Sequence, residues 1–117
     1  GEVVLVAPEG TRNTQLQQGK VGVAYLGARS GAPIVPAAVE GTDGYPSLRL
    51  NRSQEPGATV RLGRPFRFKV SRGRLDRELL RKMTDEAMYV LAGLLPASRR
   101  GYYADLSRAT AETIEFA

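Results

Sequence analysis

The sequence contains no cysteine and no histidine, and these two absences restrict its chemistry before any motif is considered. Without cysteine, neither a disulfide framework nor a cysteine-ligated metal site can form. Histidine is the commonest general base and the commonest metal ligand, so its absence also excludes a Ser-His-Asp triad and a zinc-protease site. A P-loop at Lys20 fails as well, because Thr14 stands where the motif needs glycine and Val21 where it needs Ser or Thr. We expect no metal and no cofactor.

Long hydrophobic runs are also absent. No stretch approaches the roughly 18 apolar residues that a membrane-spanning helix needs, and no signal peptide is recognisable. The 117 residues, with 42% hydrophobic and 25% charged side chains, suit a single globular domain over residues 1–117. The chain opens on aliphatic residues 3–6, which are typical of a core strand, so we expect a fragment whose preceding sequence is missing.

Positive charge is concentrated in the middle of the chain. Residues 49–82 carry eleven basic and three acidic side chains, a net charge of +8, which leaves −3 for the remainder of a chain whose total is +5. Such a segment attracts lipid headgroups, phosphorylated substrates, an acidic carrier protein or nucleic acid. A solvated surface that is rich in arginine is the simpler alternative.

Hydrophobic periodicity predicts alternating strands and helices. A buried strand at residues 3–6 is followed by a short amphipathic helix at 19–29, which Gly31 ends. The continuous apolar run at residues 33–39 predicts a strand that is buried on both faces, although Pro36 requires a bulge or kink. After a polar connection at residues 41–57, residues 59–70 alternate between apolar and basic, as two short strands or one bent strand.

The clearest helix covers residues 75–95. Asp76 is the expected N-cap, Pro96 the expected stop, and Met83 and Met88 are expected to fill the core rather than bind a cofactor. A weak helix is expected at residues 106–113. The strand-helix-strand order predicts an α/β domain with a mostly parallel sheet flanked by helices, without its first strands and helices.

The first predicted strand leads into a short loop that suits a phosphate. Glycine allows the backbone to approach a ligand, threonine adds a hydroxyl donor, and arginine adds a planar fork for two hydrogen bonds. These residues are Glu9, Gly10, Thr11 and Arg12, after Pro8. Ligands usually bind α/β sheets at the carboxyl ends of strands, which agrees with a binding loop. A surface turn with incidental charges explains the same spacing equally well.

Several blocks in a fixed order resemble the carboxyl-terminal half of the glycerolipid acyltransferases, and most closely the bacterial 1-acylglycerol-3-phosphate acyltransferases. The similarity covers nearly the whole chain. Its blocks are residues 8–12, Gly19 with Ala24, residues 32–36, residues 40–42, residues 63–66, and residues 95–96 with 100–102.

The resemblance implies acyl transfer from acyl-CoA or acyl-carrier protein to the free hydroxyl of a lysophosphatidate-type acceptor at an anionic membrane surface, on its cytoplasmic face. The resemblance also implies that Glu9, Gly10, Thr11 and Arg12 bind the phosphate of the acceptor. It gives a donor-site or a structural role to the second block, which consists of Pro33, Ile34, Val35 and Pro36.

Three departures from the family pattern limit what the chain can do. The family's catalytic His-x4-Asp pair lies upstream of these blocks, and this chain has no histidine, so we assign no catalytic residue to it and expect no activity from it alone. The aromatic residue that commonly precedes the first block is replaced by Ala7. A basic residue that is common before Gly19 is replaced by glutamine, and Lys20 is a candidate accessory cation in its place.

Two other classes of function fit the same residues. A non-catalytic module could use the loop to hold an anionic lipid or a phosphate, which agrees equally with the missing histidine. Nucleic-acid binding through the arginine-rich strands is disfavoured, because Phe66 and Phe68 share the apolar register and should point inward. We therefore predict no nucleic-acid partner.

Overall fold

The computed structural model describes residues 4–6, 15–40, 59–69 and 75–117, with only the backbone at Glu40 and Thr59. These ranges contain two helices and four short strands. In chain order they are α1 (Gly22–Ser30), β1 (Ala37–Glu40), β2 (Thr59–Leu62), β3 (Phe66–Phe68), α2 (Arg77–Ala92) and β4 (Ile114–Phe116). Short 3₁₀ turns lie at Ala97–Arg99, Gly101–Tyr103 and Leu106–Arg108.

Helix α1 packs tightly because its inward face carries only small residues. Ala24 and Ala28 are fully buried, and a Cβ added at Gly27 would lie 2.8 Å from the Phe68 ring. The helix ends at Gly31, whose φ of 65° is left-handed and whose amide donates to the Gly27 carbonyl at 3.0 Å. The predicted helix and its glycine stop are confirmed, with a start three residues later than expected.

Helix α2 matches its prediction at both the cap and the core. The carboxylate of Asp76 accepts a hydrogen bond from the Leu79 amide at 2.8 Å. Met83 and Met88 are buried, as expected of core residues. The helix ends at Ala92 rather than at the residue before Pro96.

The strands form two separate antiparallel pairs, so the prediction of a mostly parallel sheet flanked by helices is wrong. β1 pairs with β2 and β3 pairs with β4, both antiparallel. The apolar run at residues 33–39 was predicted to be buried on both faces, as in a parallel sheet, but only one of its faces is covered. Ala38 is 3% exposed, whereas Val35 and Val39 are 51% and 47% exposed.

Pro36 lies where the chain passes from one pair of strands to the other. On one side Ile34 forms an antiparallel bridge to Phe66 of β3, and on the other β1 begins at Ala37. Proline has no amide hydrogen to contribute to a ladder, so Pro36 pairs only through its carbonyl. Of the two alternatives for residues 59–70, the structure has two short strands, β2 and β3, rather than one bent strand, and each belongs to a different sheet.

Among the described residues, two clusters of buried side chains form the core. The larger one joins both helices to the second strand pair: Ala24, Ala28, Phe66, Phe68, Met83 and Ile114. The smaller one joins the second half of α2 to a residue before α1 and to a residue in the second 3₁₀ turn: Leu16, Met88, Ala92 and Tyr103. The inward orientation predicted for Phe66 and Phe68 is confirmed, while Arg67 between them is exposed.

Two further predictions are wrong. Residues 4–6 form no strand and are exposed, Leu5 by 94%, so their aliphatic character does not reflect burial here. The weak helix expected at residues 106–113 is a single 3₁₀ turn, and the chain then enters strand β4. Within the parts of the chain that the structure describes, no helix has the length and apolar character to cross a bilayer.

Candidate functional site

The four residues of the predicted phosphate loop, Glu9, Gly10, Thr11 and Arg12, lie outside the described residues. The polar connection at residues 41–57 and its arginines also lie outside them. The described residues nearest to the loop on its carboxyl side begin at Gln15, and the second block is described in full.

Lys20, the candidate accessory cation, is exposed just before α1 begins at Gly22. It also lies beside the N-terminus of a helix, where the positive end of the macrodipole favours negative charge. Because its side chain is exposed, Lys20 remains a candidate for the accessory role.

In the second block, alternate side chains have different environments. Ile34 exchanges two backbone hydrogen bonds with Phe66, at 2.7 and 2.9 Å, and Pro36 is buried with its carbonyl accepting from the Gly63 amide at 2.8 Å. A Cβ at Gly63 would lie 2.8 Å from Pro36 Cγ. Pro33 and Val35 are exposed. Ile34 and Pro36 thus have a packing role, and only Pro33 and Val35 remain available to a ligand.

Residues 15–19, which follow the predicted loop, are held by residues 98–103 (the 98–103 anchor). Leu16 donates its amide to the Arg99 carbonyl at 3.0 Å and accepts from the Tyr102 amide at 2.9 Å. Gln15 and Gln18 add side-chain bonds to the Ser98 carbonyl and the Tyr102 hydroxyl, at 3.1 and 3.3 Å. This pairing joins the first half of the chain to its last fifth.

The Tyr103 hydroxyl completes this contact from inside the core. It accepts a hydrogen bond from the Gly19 amide at 3.0 Å and donates to Asp85 of α2 at 2.7 Å. Asp85 in turn accepts from Arg81 at 2.8 Å. Burial is the main reason that the pKa of Tyr103 is raised, so the hydroxyl keeps its proton.

Glycine is required at two positions of this contact. A Cβ at Gly19 would lie 2.8 and 2.9 Å from Met88 and Thr84 of α2. At Gly101, φ is +53° and a Cβ would come within 2.3 Å of the Leu16 carbonyl oxygen. A side chain at either position would separate residues 15–19 from the core.

A polar cleft of about 320 Å³ lies between α2 and residues 108–110. Its lining is Glu78, Arg81, Lys82, Asp85, Glu86, Tyr89, Arg108 and Thr110. The Glu86 carboxylate, 2% exposed, accepts from the Glu112 and Thr113 amides at 2.8 and 2.7 Å and from the Thr110 and Thr113 hydroxyls. Glu86 therefore fixes residues 110–113 to α2.

Sequence reasoning missed both Glu86 and Tyr103. Glu86 had a recognisable signal, since it lies three residues after Met83 and four before Val90 and is an acid on the apolar side of α2. A carboxylate there must be matched by donors, which the threonines near residue 113 supply. Tyr103 had no such signal, because the sequence does not show which of two adjacent tyrosines points inward.

We compared the chain with family models, with curated proteins and with solved structures, and none of the three comparisons returned a match.

Proposed function

We propose that this chain is the acceptor-binding part of a glycerolipid acyltransferase of the 1-acylglycerol-3-phosphate type. In this proposal Glu9, Gly10, Thr11 and Arg12 hold the phosphate of a lysophosphatidate-type acceptor. The observation that carries the proposal is the order of the blocks at residues 8–12, 19–24, 32–36, 63–66 and 100–102, which extend along nearly the whole chain. A single short block would be weak, since such motifs recur by chance.

The packing of the described blocks supports the interpretation that they belong to one folded unit. Gly19, Gly63 and Gly101 each stand where a Cβ would meet another group at 2.8 Å or less. Ala24 is fully buried against the core and Pro36 is buried against Gly63. These residue types are therefore required by one fold, and the same fold holds the chain next to the proposed phosphate loop.

The proposed reaction makes one ester bond and breaks one thioester bond. The acceptor hydroxyl gives its proton to a base and attacks the carbonyl carbon of acyl-CoA or acyl-carrier protein, and the donor's sulfur leaves and is protonated. The guanidinium of Arg12 binds two phosphate oxygens, while the Gly10 amide and the Thr11 hydroxyl add donors. With no histidine among the 117 residues, the histidine base that the resemblance implies is not supplied by these residues.

The proposed partners follow from the same reaction. Both substrates carry phosphate, and the acceptor is a membrane lipid, so a basic surface at an anionic bilayer, on its cytoplasmic face, concentrates the acceptor near the site. Four basic side chains are exposed within residues 59–69, a stretch that contains no acidic residue: Arg61, Arg64, Arg67 and Lys69.

Arg12 is tested in the longest natural protein that contains this chain, with 1-acylglycerol 3-phosphate as acceptor. Arg12→Ala is expected to raise the acceptor KM about 10- to 100-fold, since a hydrogen-bonded charge pair contributes about 1.5–3 kcal/mol, while the donor KM stays unchanged. Arg12→Lys keeps the charge but loses the fork, and is expected to recover only part of the affinity. An unchanged acceptor KM in Arg12→Ala would remove Arg12 from the site.

A second candidate agrees equally with the missing histidine: a non-catalytic module that binds anionic lipid or phosphate through the same loop. Both candidates need Arg12 for phosphate binding. They differ in turnover: formation of diacylglycerol 3-phosphate by the longer protein supports the enzyme, and phosphate binding without any turnover supports the module.

A further inference from the structure

We propose that one side of the β1–β2 pair is a self-association surface, on which a second copy of this chain packs. We call this side the open face, and it consists of exposed residues of both strands and the segment before them: Val35, Ala37, Val39, Val60 and Leu62. The proposal is independent of the proposed function, because it uses only these described residues and needs no ligand.

The first step of the argument is the register of the two strands. Val39 is paired with Val60 and Ala37 with Leu62, and directly paired residues of an antiparallel sheet lie on the same side. Ala38, which alternates with them in β1, is 3% exposed. One side of the pair therefore packs on the protein, and the other side presents a continuous aliphatic surface to solvent.

The second step is the residue types on this surface. Residues 33–39 are apolar at every position, and strands that are apolar on both sides are typical of sheets that are covered on both sides. A two-stranded pair is marginally stable by itself and gains stability when its apolar side packs on a further layer. We therefore expect the open face to be covered by another apolar surface.

The third step is the lack of charge among the described residues of the open face. Arg61 alternates with the exposed residues of β2 and is paired with Ala38, so it lies on the opposite side of the sheet. Arg64, which follows β2, donates from its Nε to the carbonyl of Ala117 at 2.8 Å. Two copies can therefore meet on the open face without placing like charges opposite each other.

The same composition favours a second copy over an anionic bilayer as the occupant. A surface that binds such a bilayer typically combines basic side chains, which reach the headgroups, with interfacial tyrosine or tryptophan. The open face has neither among its described residues. A second copy offers an aliphatic surface of the same shape, and a two-fold axis through the open face places equivalent residues of both copies together.

The size of the open face sets the strength of the association. Each strand has four residues, which extend about 13 Å, and two paired strands are about 10 Å wide. Such a face is smaller than the roughly 800 Å² that each partner buries in a standard interface. We therefore expect a weak dimer, with a dissociation constant between about 10 μM and about 1 mM.

The experiment is sedimentation equilibrium of the chain between about 10 μM and about 1 mM, the range of the expected dissociation constant. Val60→Lys is expected to raise the dissociation constant about 100-fold, because each dimer loses two valines that contribute about tenfold each. Leu26→Lys is the matched control: it adds the same charge at an aliphatic residue of α1 that is 49% exposed, and should leave the dissociation constant unchanged.

A second variant keeps the test decisive if Val60→Lys does not fold, which its circular dichroism spectrum shows. Val60→Thr keeps the β-branched shape that suits a strand and replaces one methyl by a hydroxyl. It is expected to weaken the dimer about tenfold. Amide shifts of the ¹⁵N-labelled chain that change with protein concentration are expected in β1 and β2 and not in β4.

The outcomes decide between a second copy and other occupants. A chain that stays monomeric up to about 1 mM would overturn the proposal, as would a dimer that Val60→Lys and Val60→Thr leave unchanged. Association that continues beyond the dimer would also contradict it, because a two-fold contact closes on itself. A monomer that binds phosphatidylglycerol vesicles through Val60 would assign the open face to a bilayer instead.

Discussion

Glu86→Gln replaces one carboxylate oxygen of a buried side chain by an amide nitrogen, and we expect it to lower the free energy of unfolding by about 3 kcal/mol. Each carboxylate oxygen of Glu86 accepts two hydrogen bonds, one from a backbone amide and one from a threonine hydroxyl. The substitution preserves shape and volume, so it creates no cavity.

The magnitude follows from what each donor loses. Hydrogen bonds to a charged acceptor are worth about 1.5–3 kcal/mol, against about 0.5–1.5 for a neutral one, so the two bonds to the remaining oxygen weaken. The two bonds to the replaced oxygen are lost, because an amide nitrogen cannot accept. The new amide nitrogen must also face one backbone amide, either Glu112 or Thr113, and a buried donor without an acceptor costs about 1–3 kcal/mol. Relief from burying the charge offsets part of the loss, which leaves a net of about 3 kcal/mol.

The assay is urea unfolding followed by circular dichroism, with Glu115→Gln as the matched control. Glu115 is exposed on β4, opposite Arg67, and its substitution should change stability by less than about 0.5 kcal/mol. For Glu86→Gln the thermal midpoint should fall by about 12 °C, at about 4 °C per kcal/mol. A loss below about 1 kcal/mol would refute the view that Glu86 fixes residues 110–113.

Three further changes test the caps and the 98–103 anchor. Gly101→Ala should destabilise by more than about 1 kcal/mol in urea unfolding, while Gly93→Ala, in right-handed backbone with φ of −63°, should be neutral or slightly stabilising. Asp76→Ala should cost about 1 kcal/mol by the same measurement, and Asp76→Ser should restore most of it. Tyr103 has a pKa raised in the fold above its ordinary 10.0, so its contribution is complete below pH 10 and declines as the pH rises further. The urea midpoint should therefore fall between pH 9 and pH 11 more steeply in the unaltered chain than in Tyr103→Phe, and equal slopes would contradict this.

The helices were predictable because their signals are local. Asp76 before an apolar stripe and Gly31 after one are caps that act within a single turn, and both are found in place. The pairing of the strands was not predictable in the same way. An apolar run does not show whether one or both faces are covered, and at Val35 and Val39 one face is open.

The helix predicted at residues 106–113 was wrong for a different reason. Residues 106–113 have a weak helical pattern, but the carboxylate of Glu86 takes the amides of Glu112 and Thr113 that a helix would need internally. A tertiary contact thus outweighs a small local preference. For the proposed site, the sequence supplied the loop and the second block, whereas the anchor that holds residue 19 depends on a residue 84 positions away.

That separation has a kinetic consequence. The bond between Gly19 and Tyr103 closes a loop of 84 residues, and strand β3 likewise finds its partner only at residues 114–116. Closing such loops costs entropy before the contacts compensate for it, which slows folding relative to a helical bundle of equal length. During synthesis, residues 15–19 must therefore wait until residue 103 has left the ribosome before the small core cluster around Leu16 can form.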